Sequence, residues 1–454
     1  LAPYGGAPAS AWLIITFLVS GRHSEIAARR EIVALIGLHA VDTMVSMDLV
    51  KPVTRILEDR LASPSWRFVT HLIEFFLQSR IRLRRAKPKD ADLRDRFCAQ
   101  PFEKFEMHEN GSAFLCCPGW LPWPAGNLNV QDGEAVWNSK RAQEIRRSIH
   151  EGDFKYCDRD LCPWIVSNTL PTRAEARKDP RLREIIDQKK TVLGDGPKHI
   201  KLSNDRSCNL SCPSCRTRLL NFKSGPAYEL RKRLQNRLVQ AFFSKPTDET
   251  FAVEVTGSGD PFASRVFREF LYQLDRKDFP NLSILFQTNG TLFNEKTWRR
   301  MHKIHGNVSV VGVSFDAASE GTYSIVRRGG NWRHLMQNIR FLSGLRQQNL
   351  IGHLRMDFVV QQANFREMPD FVRMGKELCV DTIAFAKAVN WGSWSVAEYR
   401  AVSVWEPDHP EHAEFQRIMA DPIFDDPRVF IGNMAYDRQQ ARERLPEPVL
   451  AAAE

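Results

Sequence analysis

The stretch SCNLSCPSCRT, residues 207–217, places Cys208, Cys212 and Cys215 in the spacing C-x3-C-x2-C. Three soft ligands crowded so closely rarely serve a hydrophobic core. They follow directly on HIKLS (199–203), a short alternating run that predicts a strand. The trio therefore falls in the loop at a strand's carboxyl end, where α/β folds carry their chemistry. Thiolates select zinc, copper(I) or iron–sulfur. A structural zinc takes four protein ligands, and no nearby Cys or His supplies the fourth, since His199 belongs to the strand. A catalytic zinc, or an unliganded or disulfide-bonded trio, stays open as an alternative. A four-iron cluster held at three corners fits best, because it leaves one iron free for a substrate.

Outward from this stretch the chain beats as strand, loop, helix. FAVEV (251–255), LSILFQ (282–287), VSVVGVS (308–314), LRMDFVV (354–360) and DTIAF (381–385) read as further strands. Helical patterns lie at 224–242, 261–275, 293–302, 331–346 and 365–377. Apolar strands joined by helical crossovers predict a parallel sheet. Six such units are too few for a complete eight-stranded barrel, so the expected α/β fold is a partial (β/α)6 barrel over 198–395. From 396 to 454 the pattern gives way to a helical extension, with one helix in HPEHAEFQRIMAD.

Upstream, residues 1–95 read as a helical region, with SEIAARREIVALIGLHAV, MDLVKPVTRILEDRL and HLIEFFLQSRI carrying apolar residues at helical spacing. Residues 96–170 read as a small cysteine-rich α+β module. PFEKFEMHENGSAFLCCPG predicts two short strands around a turn at Glu109-Asn110-Gly111. VWNSKRAQEIRRSIHEG predicts a helix with Asn138 or Ser139 as N-cap and Gly152 beyond its end. Residues 171–197 read as a charged linker.

The chain's 454 residues suffice for two or three domains, and 43% hydrophobic with 26% charged residues is ordinary for a soluble protein. A net charge of +10 and the run RIRLRRAKPK at 80–89 raise the question of nucleic acid. Basic and aromatic residues are not interleaved elsewhere, so a solvated face or steering of an anionic substrate accounts for the charge, and nucleic acid is not expected as a partner. WLIITFLVS is too short to span a bilayer and lacks a basic flank and a cleavage site. No membrane partner is expected, and the cytoplasm is the expected compartment.

Nine cysteines are present, eight of them in two sets, with Cys379 alone. Clustering of this kind favours metal over disulfides. The second set is Cys98, Cys116, Cys117, Cys157 and Cys162. A hairpin and a helix can return the last pair to the first, giving four ligands for a closed cluster. Adjacent side chains on an extended segment point apart, so only one of Cys116 and Cys117 can bind; the spacing C-x12-G-x4-C favours Cys116. Zinc or a disulfide pair remains an alternative.

CNLSCPSC closely resembles the signature of the radical SAM enzymes. The resemblance implies an open iron that chelates the amino and carboxylate groups of S-adenosylmethionine. An electron from a donor such as flavodoxin or ferredoxin would then release a 5'-deoxyadenosyl radical that abstracts a substrate hydrogen. VTGSGDPF (255–262) resembles the family's Gly-rich segment, which implies that Gly257, Ser258, Gly259 and Asp260 bind the cofactor's methionine moiety. Asp260 takes the place usually written Glu. QTNGTLF (287–293) and VSFDAASEGTYSIVRRGG (313–330) resemble later segments of the same fold. They make Ser314 and Asp316 candidates for the ribose, and Arg327 or Arg328 candidates for a carboxylate. Ser214 departs from the family, which often has an aromatic residue there to pack near the adenine; Phe315 and Phe385 are candidates for that role but read as core.

C-x12-G-x4-C, GNL at 126–128, VWNS at 136–139 and the C-x4-C-P at 157–163 resemble the SPASM/twitch auxiliary-cluster domain. In usual members that domain follows the barrel, and the SPASM form holds two clusters. Here it precedes the barrel, with cysteines for one 4Fe–4S cluster on Cys98, Cys116, Cys157 and Cys162. The resemblance implies electron transfer for it; a structural staple is the rival. The expected function is modification of a ribosomally made peptide by cross-linking, epimerisation or oxidation. A sugar or other small molecule is an alternative substrate, and a non-enzymatic iron–sulfur carrier is a further alternative. Cys379, in ELCVDTIAF, is the sole free candidate for a hydrogen-donating thiol and reads as a buried core residue opening the sixth strand. Trp391 and Trp394 could line a substrate entrance or pack against the C-terminal tail.

Overall fold

The computed structural model describes residues 92–256 and 259–444. The helices expected before residue 92, the basic run at 80–89, Gly257, Ser258 and residues 445–454 lie outside the described residues. The cysteine-rich segment opens with β1 (Lys104–His108) and returns as β2 (Ser112–Phe114), then adds the short β3 (Gly126–Asn127). Gly111 turns the hairpin at φ 83°, and a Cβ there would lie 2.4 Å from Asn129 Nδ2, so the turn requires glycine. The helix Lys140–Glu151 follows. Ser139 is its N-cap, accepting from the Ala142 N–H at 3.1 Å, and Gly152 ends it in the left-handed region.

The charged segment at 173–197 is not a loose connector. It folds into the helices Arg173–Ala176 and Pro180–Asp187 and is tied to the module through polar side chains. Trp137 donates to the Asp195 carbonyl at 2.8 Å and Asn138 to that of Leu193 at 2.8 Å. Arg146, wholly buried, donates to the carbonyls of Pro101 and Thr191 and stacks on Trp137 at 4.3 Å. Burial pushes its guanidinium down to about 9.

The six barrel strands are β4 (His199–Ser203), β5 (Phe251–Val255), β6 (Leu282–Thr288), β7 (Val308–Ser314), β8 (His353–Val360) and β9 (Thr382–Lys387). Each pairs in parallel with the next. The crossover helices Gly225–Phe242, Arg265–Gln273, Trp332–Gln347 and Met368–Glu377 lie where helical spacing places them. They cover one face of the sheet: Phe358 and Phe385 meet Phe371, and Ile383 packs on Gly375. Strand alternation leaves the other face to half-buried polar residues.

Two features go beyond the expected partial barrel. β1 pairs in parallel with β4, with Glu106 opposite Lys201, so module and barrel share one sheet that ends in β10 (Val429–Phe430), of order β10-β9-β8-β7-β6-β5-β4-β1-β2-β3. The C-terminal region is not purely helical. Besides Val396–Val402, His412–Met419 and Ala435–Arg444 it contributes β10 (Val429–Phe430), parallel to β9. Trp394 stacks on Tyr399 of this region, whereas Trp391 is exposed.

Cys379 corrects the sequence reading. It does not open a strand and is not core; it is exposed, at φ 53°, just past the helix Met368–Glu377. Its N–H and that of Val380 close the helix on the Lys376 and Gly375 carbonyls. The apolar flanks that suggested burial belong to Leu378 and Val380, which point inward on either side of this left-handed cap.

Candidate active site

The three cysteines after β4 gather into one small buried cluster with Leu210. The Cys215 and Arg216 N–H groups both donate to the Cys212 carbonyl at 3.0 Å, curling the loop around that residue. Every sulfur accepts from a neighbour. Cys208 Sγ receives the Leu210 N–H at 3.4 Å and Asn289 Nδ2 at 3.6 Å; Cys212 Sγ receives Arg327 Nη1 at 3.7 Å; Cys215 Sγ receives Arg216 Nη2 at 3.4 Å. Burial, with the Asp260 charge adding to it, pushes the Cys208 thiol up to about 11 despite the opposing pull of Arg216. Three sulfurs ringed by donors, those of Cys208 and Cys212 buried and that of Cys215 partly so, can hold three corners of a metal group.

The loops after β5, β6 and β7 converge on this ring. A Cβ on Gly259 would lie 2.4 Å from the Ser207 carbonyl oxygen and 2.8 Å from that of Asp205, so only glycine lets this loop lie against the cysteine loop. Thr256, leading into it, sits at φ 116°. Asp260 has a different part from a free cofactor-facing carboxylate. One oxygen accepts from the Phe262 and Ala263 N–H groups, the other from Thr288 Oγ1 at 2.7 Å and the Asn289 N–H at 2.9 Å. It fixes the β6 loop, and with it the Asn289 amide that reaches Cys208.

Asp316 and Arg327, separate candidates in the sequence, pair with each other at 2.7 Å, Asp316 buried and Arg327 nearly so. Asp316 is held at φ 61°; its Oδ1 accepts from the Val359 N–H and its carbonyl from Asn364. Burial pushes its carboxyl up against the pull of Arg327. Burial disfavours the Arg327 guanidinium, but Asp316 and Cys212 outweigh this and hold its charge. Ser314 accepts from Gln287 at 2.8 Å, in a polar set with Arg355 and Asp357 on the face away from the helices. Arg328 contacts Ser211 at the rim. Phe315 and Phe385 are core.

Sequence reasoning missed Asn289, Arg216 and a charged ladder on the same inner face. Glu106, Lys201 and Glu254 stand in register on β1, β4 and β5. Lys201 reaches Glu254 at 2.8 Å; Lys104 and His108 each reach Glu106 at 3.0 Å. Burial pushes the Glu106 carboxyl up, but the His108 hydrogen bond and the Lys104 and Lys201 charges prevail and hold it at about 2. Charges alternating with apolar residues in KFEMH, HIKLS and FAVEV are the signal that could have found them.

The other cysteines also converge. Cys98, Cys116, Cys157 and Cys162 line one cavity walled by Trp120, Phe154, Trp164 and Ile165. Burial pushes the Cys98 thiol up strongly and that of Cys116 to about 11. Cys117 does not line this cavity; its electrostatic neighbours are Glu106, Lys104 and Lys201 of the inner face. Among the described residues no three His, Cys, Asp or Glu side chains converge closely enough to hold a single metal ion.

Residues 206–356 match the model of the radical SAM superfamily, and residues 98–163 match that of the SPASM iron–sulfur cluster-binding domain. No curated protein matches the chain. Solved structures with a similar fold include TYW1 with a lysine-pyruvate adduct bound, at 13% identity and TM-score 0.31, over 48% of this chain and 70% of that one. Streptococcus suis SuiB bound to S-adenosylmethionine is 13% identical at TM-score 0.34, over 66% of this chain and 64% of that one. SuiB bound to the precursor peptide SuiA is 10% identical at TM-score 0.31, over 56% and 55%. The chain carries a radical SAM domain, of a superfamily that works with 4Fe–4S clusters and S-adenosylmethionine, and a SPASM domain that stands ahead of it in sequence.

Proposed function

We propose that this enzyme modifies a peptide by radical hydrogen abstraction, with the open cluster on Cys208, Cys212 and Cys215 and one closed auxiliary cluster on Cys98, Cys116, Cys157 and Cys162. The observation that carries the two-cluster reading is the convergence of each cysteine set, three sulfurs with donors, two of them buried, and four thiols around one apolar-walled cavity. With both groups bound, S-adenosylmethionine supplies the 5'-deoxyadenosyl radical and the auxiliary cluster a path for one electron.

The chain's own residues do the rest. Gly259 lets backbone groups approach the cysteine loop, and Asp260 and Asn289 fix the loop beside Cys208. Ser314, Gln287, Arg355 and Asp357 on one side, and Glu106, Lys201 and Glu254 on the other, offer polar contacts and exchangeable protons to a substrate on the inner face. The sheet is open, with the short β10 and β3 at its two edges. A sheet that is not closed into a barrel among the described residues leaves room for an extended peptide along these polar side chains.

The test is anaerobic reconstitution followed by assay of 5'-deoxyadenosine formation with cell extract separated into peptide and metabolite fractions. The peptide fraction is expected to stimulate the reaction, and protease treatment to abolish the effect. Stimulation confined to a protease-resistant metabolite fraction would overturn the peptide assignment in favour of a sugar or similar small molecule.

A further inference from the structure

Two of the three sulfurs after β4 accept from arginines, and both arginines are locked in place. Arg216 is 3% exposed; its Nη1 donates to the Arg206 carbonyl at 2.8 Å while Nη2 reaches Cys215 Sγ. Arg327 divides its guanidinium between Asp316 Oδ2 and Cys212 Sγ. Asp316 is itself fixed by Val359 and Asn364 in a left-handed conformation that an aspartate adopts only at a cost. A buried ion pair gives little net stability, because desolvation consumes most of the attraction. An arrangement of this kind makes physical sense as a device for aiming a cation at a sulfur.

We propose that Arg216 and the Asp316–Arg327 pair are positioning residues that raise the reduction potential of the metal group held by Cys208, Cys212 and Cys215. The inference rests on the cluster assignment made above. Reduction of a thiolate-bound cluster adds one electron, drawn from an external donor, and one negative charge. A guanidinium donating to a ligand sulfur in a buried site stabilises that added charge, and donors to sulfur are among the main controls on cluster potential. Such help matters most when the donor is weak.

The experiment is a reductive titration followed by electron paramagnetic resonance on the reconstituted enzyme, without S-adenosylmethionine and after iron has been counted. The signal that changes when S-adenosylmethionine is added identifies the cluster. Arg216→Gln and Arg327→Gln are each expected to keep wild-type iron and to lose at least tenfold in the reduction equilibrium, a midpoint lower by about 59 mV for one electron. Arg327→Lys is expected to fall between, and Arg366→Gln, on the outer surface, to match wild type. Should Arg327→Gln not fold, Arg327→Gln with Asp316→Asn avoids an orphaned carboxylate and is expected to shift in the same direction. Unchanged midpoints with weakened S-adenosylmethionine binding would overturn the proposal and return Arg327 to the cofactor's carboxylate. Loss of iron from every arginine variant overturns it too, since the arginines would then hold the site together without setting its potential. If the triple variant Cys208→Ala, Cys212→Ala, Cys215→Ala retains the titrated signal, the failure lies in the cluster assignment instead.

Discussion

Lys201→Met tests the way in which the SPASM module and the barrel are joined. Lys201 is the middle rung of the ladder Glu106, Lys201, Glu254, which crosses from the module's strand β1 to the barrel strands β4 and β5. Burial disfavours its ammonium, but Glu254 and Glu106 more than compensate and hold it charged. Both carboxyls lie at about 2 in place of their ordinary 4.5, burial being outweighed by their basic partners. A carboxyl lowered that far stabilises the fold by about 3 kcal/mol at neutral pH. That contribution is complete above 4.5 and is lost as pH falls through about 2. The two values share one lysine, so they do not add. Removing the lysine leaves Glu106 to Lys104 and His108 and the half-buried Glu254 to His199 alone, and the expected loss at pH 7 is about 1–3 kcal/mol. In the variant, burial is offset by fewer cations, so the carboxyls take up protons at higher pH than in the wild type, a difference sampled between pH 7 and 5. The deficit should therefore narrow as pH falls over that interval, and adding Glu254→Gln should recover part of it at pH 7. Urea unfolding followed by tryptophan fluorescence measures all three. A deficit below about 1 kcal/mol, the value of an exposed pair, or one equal at pH 5 and 7, would refute the ladder as the joint between the two parts.

Three further outcomes follow from the geometry. Cys116→Ala should lower the iron content of the reconstituted protein by about half, to one four-iron cluster, whereas Cys117→Ala should leave it unchanged; iron and sulfide counting decides. Gly259→Ala drives a methyl into the Ser207 and Asp205 carbonyls, and thermal unfolding should show a loss of about 1–3 kcal/mol or more, with weaker S-adenosylmethionine binding. Arg146→Met strands the carbonyls of Pro101 and Thr191 in the core, with an expected cost of about 3 kcal/mol by urea unfolding and no change in the signal of the three-cysteine site.

The spacing of Cys208, Cys212 and Cys215 after a predicted strand, and the six βα units, could be read directly, because both are local patterns of period and spacing. The helix capped by Ser139 and ended by Gly152 was legible for the same reason. The four auxiliary cysteines were legible as a set on their spacing and on the hairpin that folds them together. Cys116 lines the shared cavity and Cys117 does not, a difference that depends on what the segment after β2 packs against. What the sequence could not reveal is chiefly polar. Asp260 looks like a free ligand until four donors, two from its own loop and two from the end of β6 and the loop after it, are seen to occupy it. Asp316 and Arg327 look like two separate contacts until the fold seals them together.

The linear chain thus determined the chemistry on offer, because a cysteine's softness and a strand's alternation are properties of neighbours in sequence. Tertiary structure alone decided how the parts are connected. It made the module's first strand a member of the barrel sheet, set Glu106 beside Lys201 across ninety-five residues of chain, and aimed Arg216 and Arg327 at the sulfurs. It also put Cys379 on the surface. Pairings between distant strands, and the partner of a buried charge, depend on register and on which loops share a space. No short window of sequence contains that information.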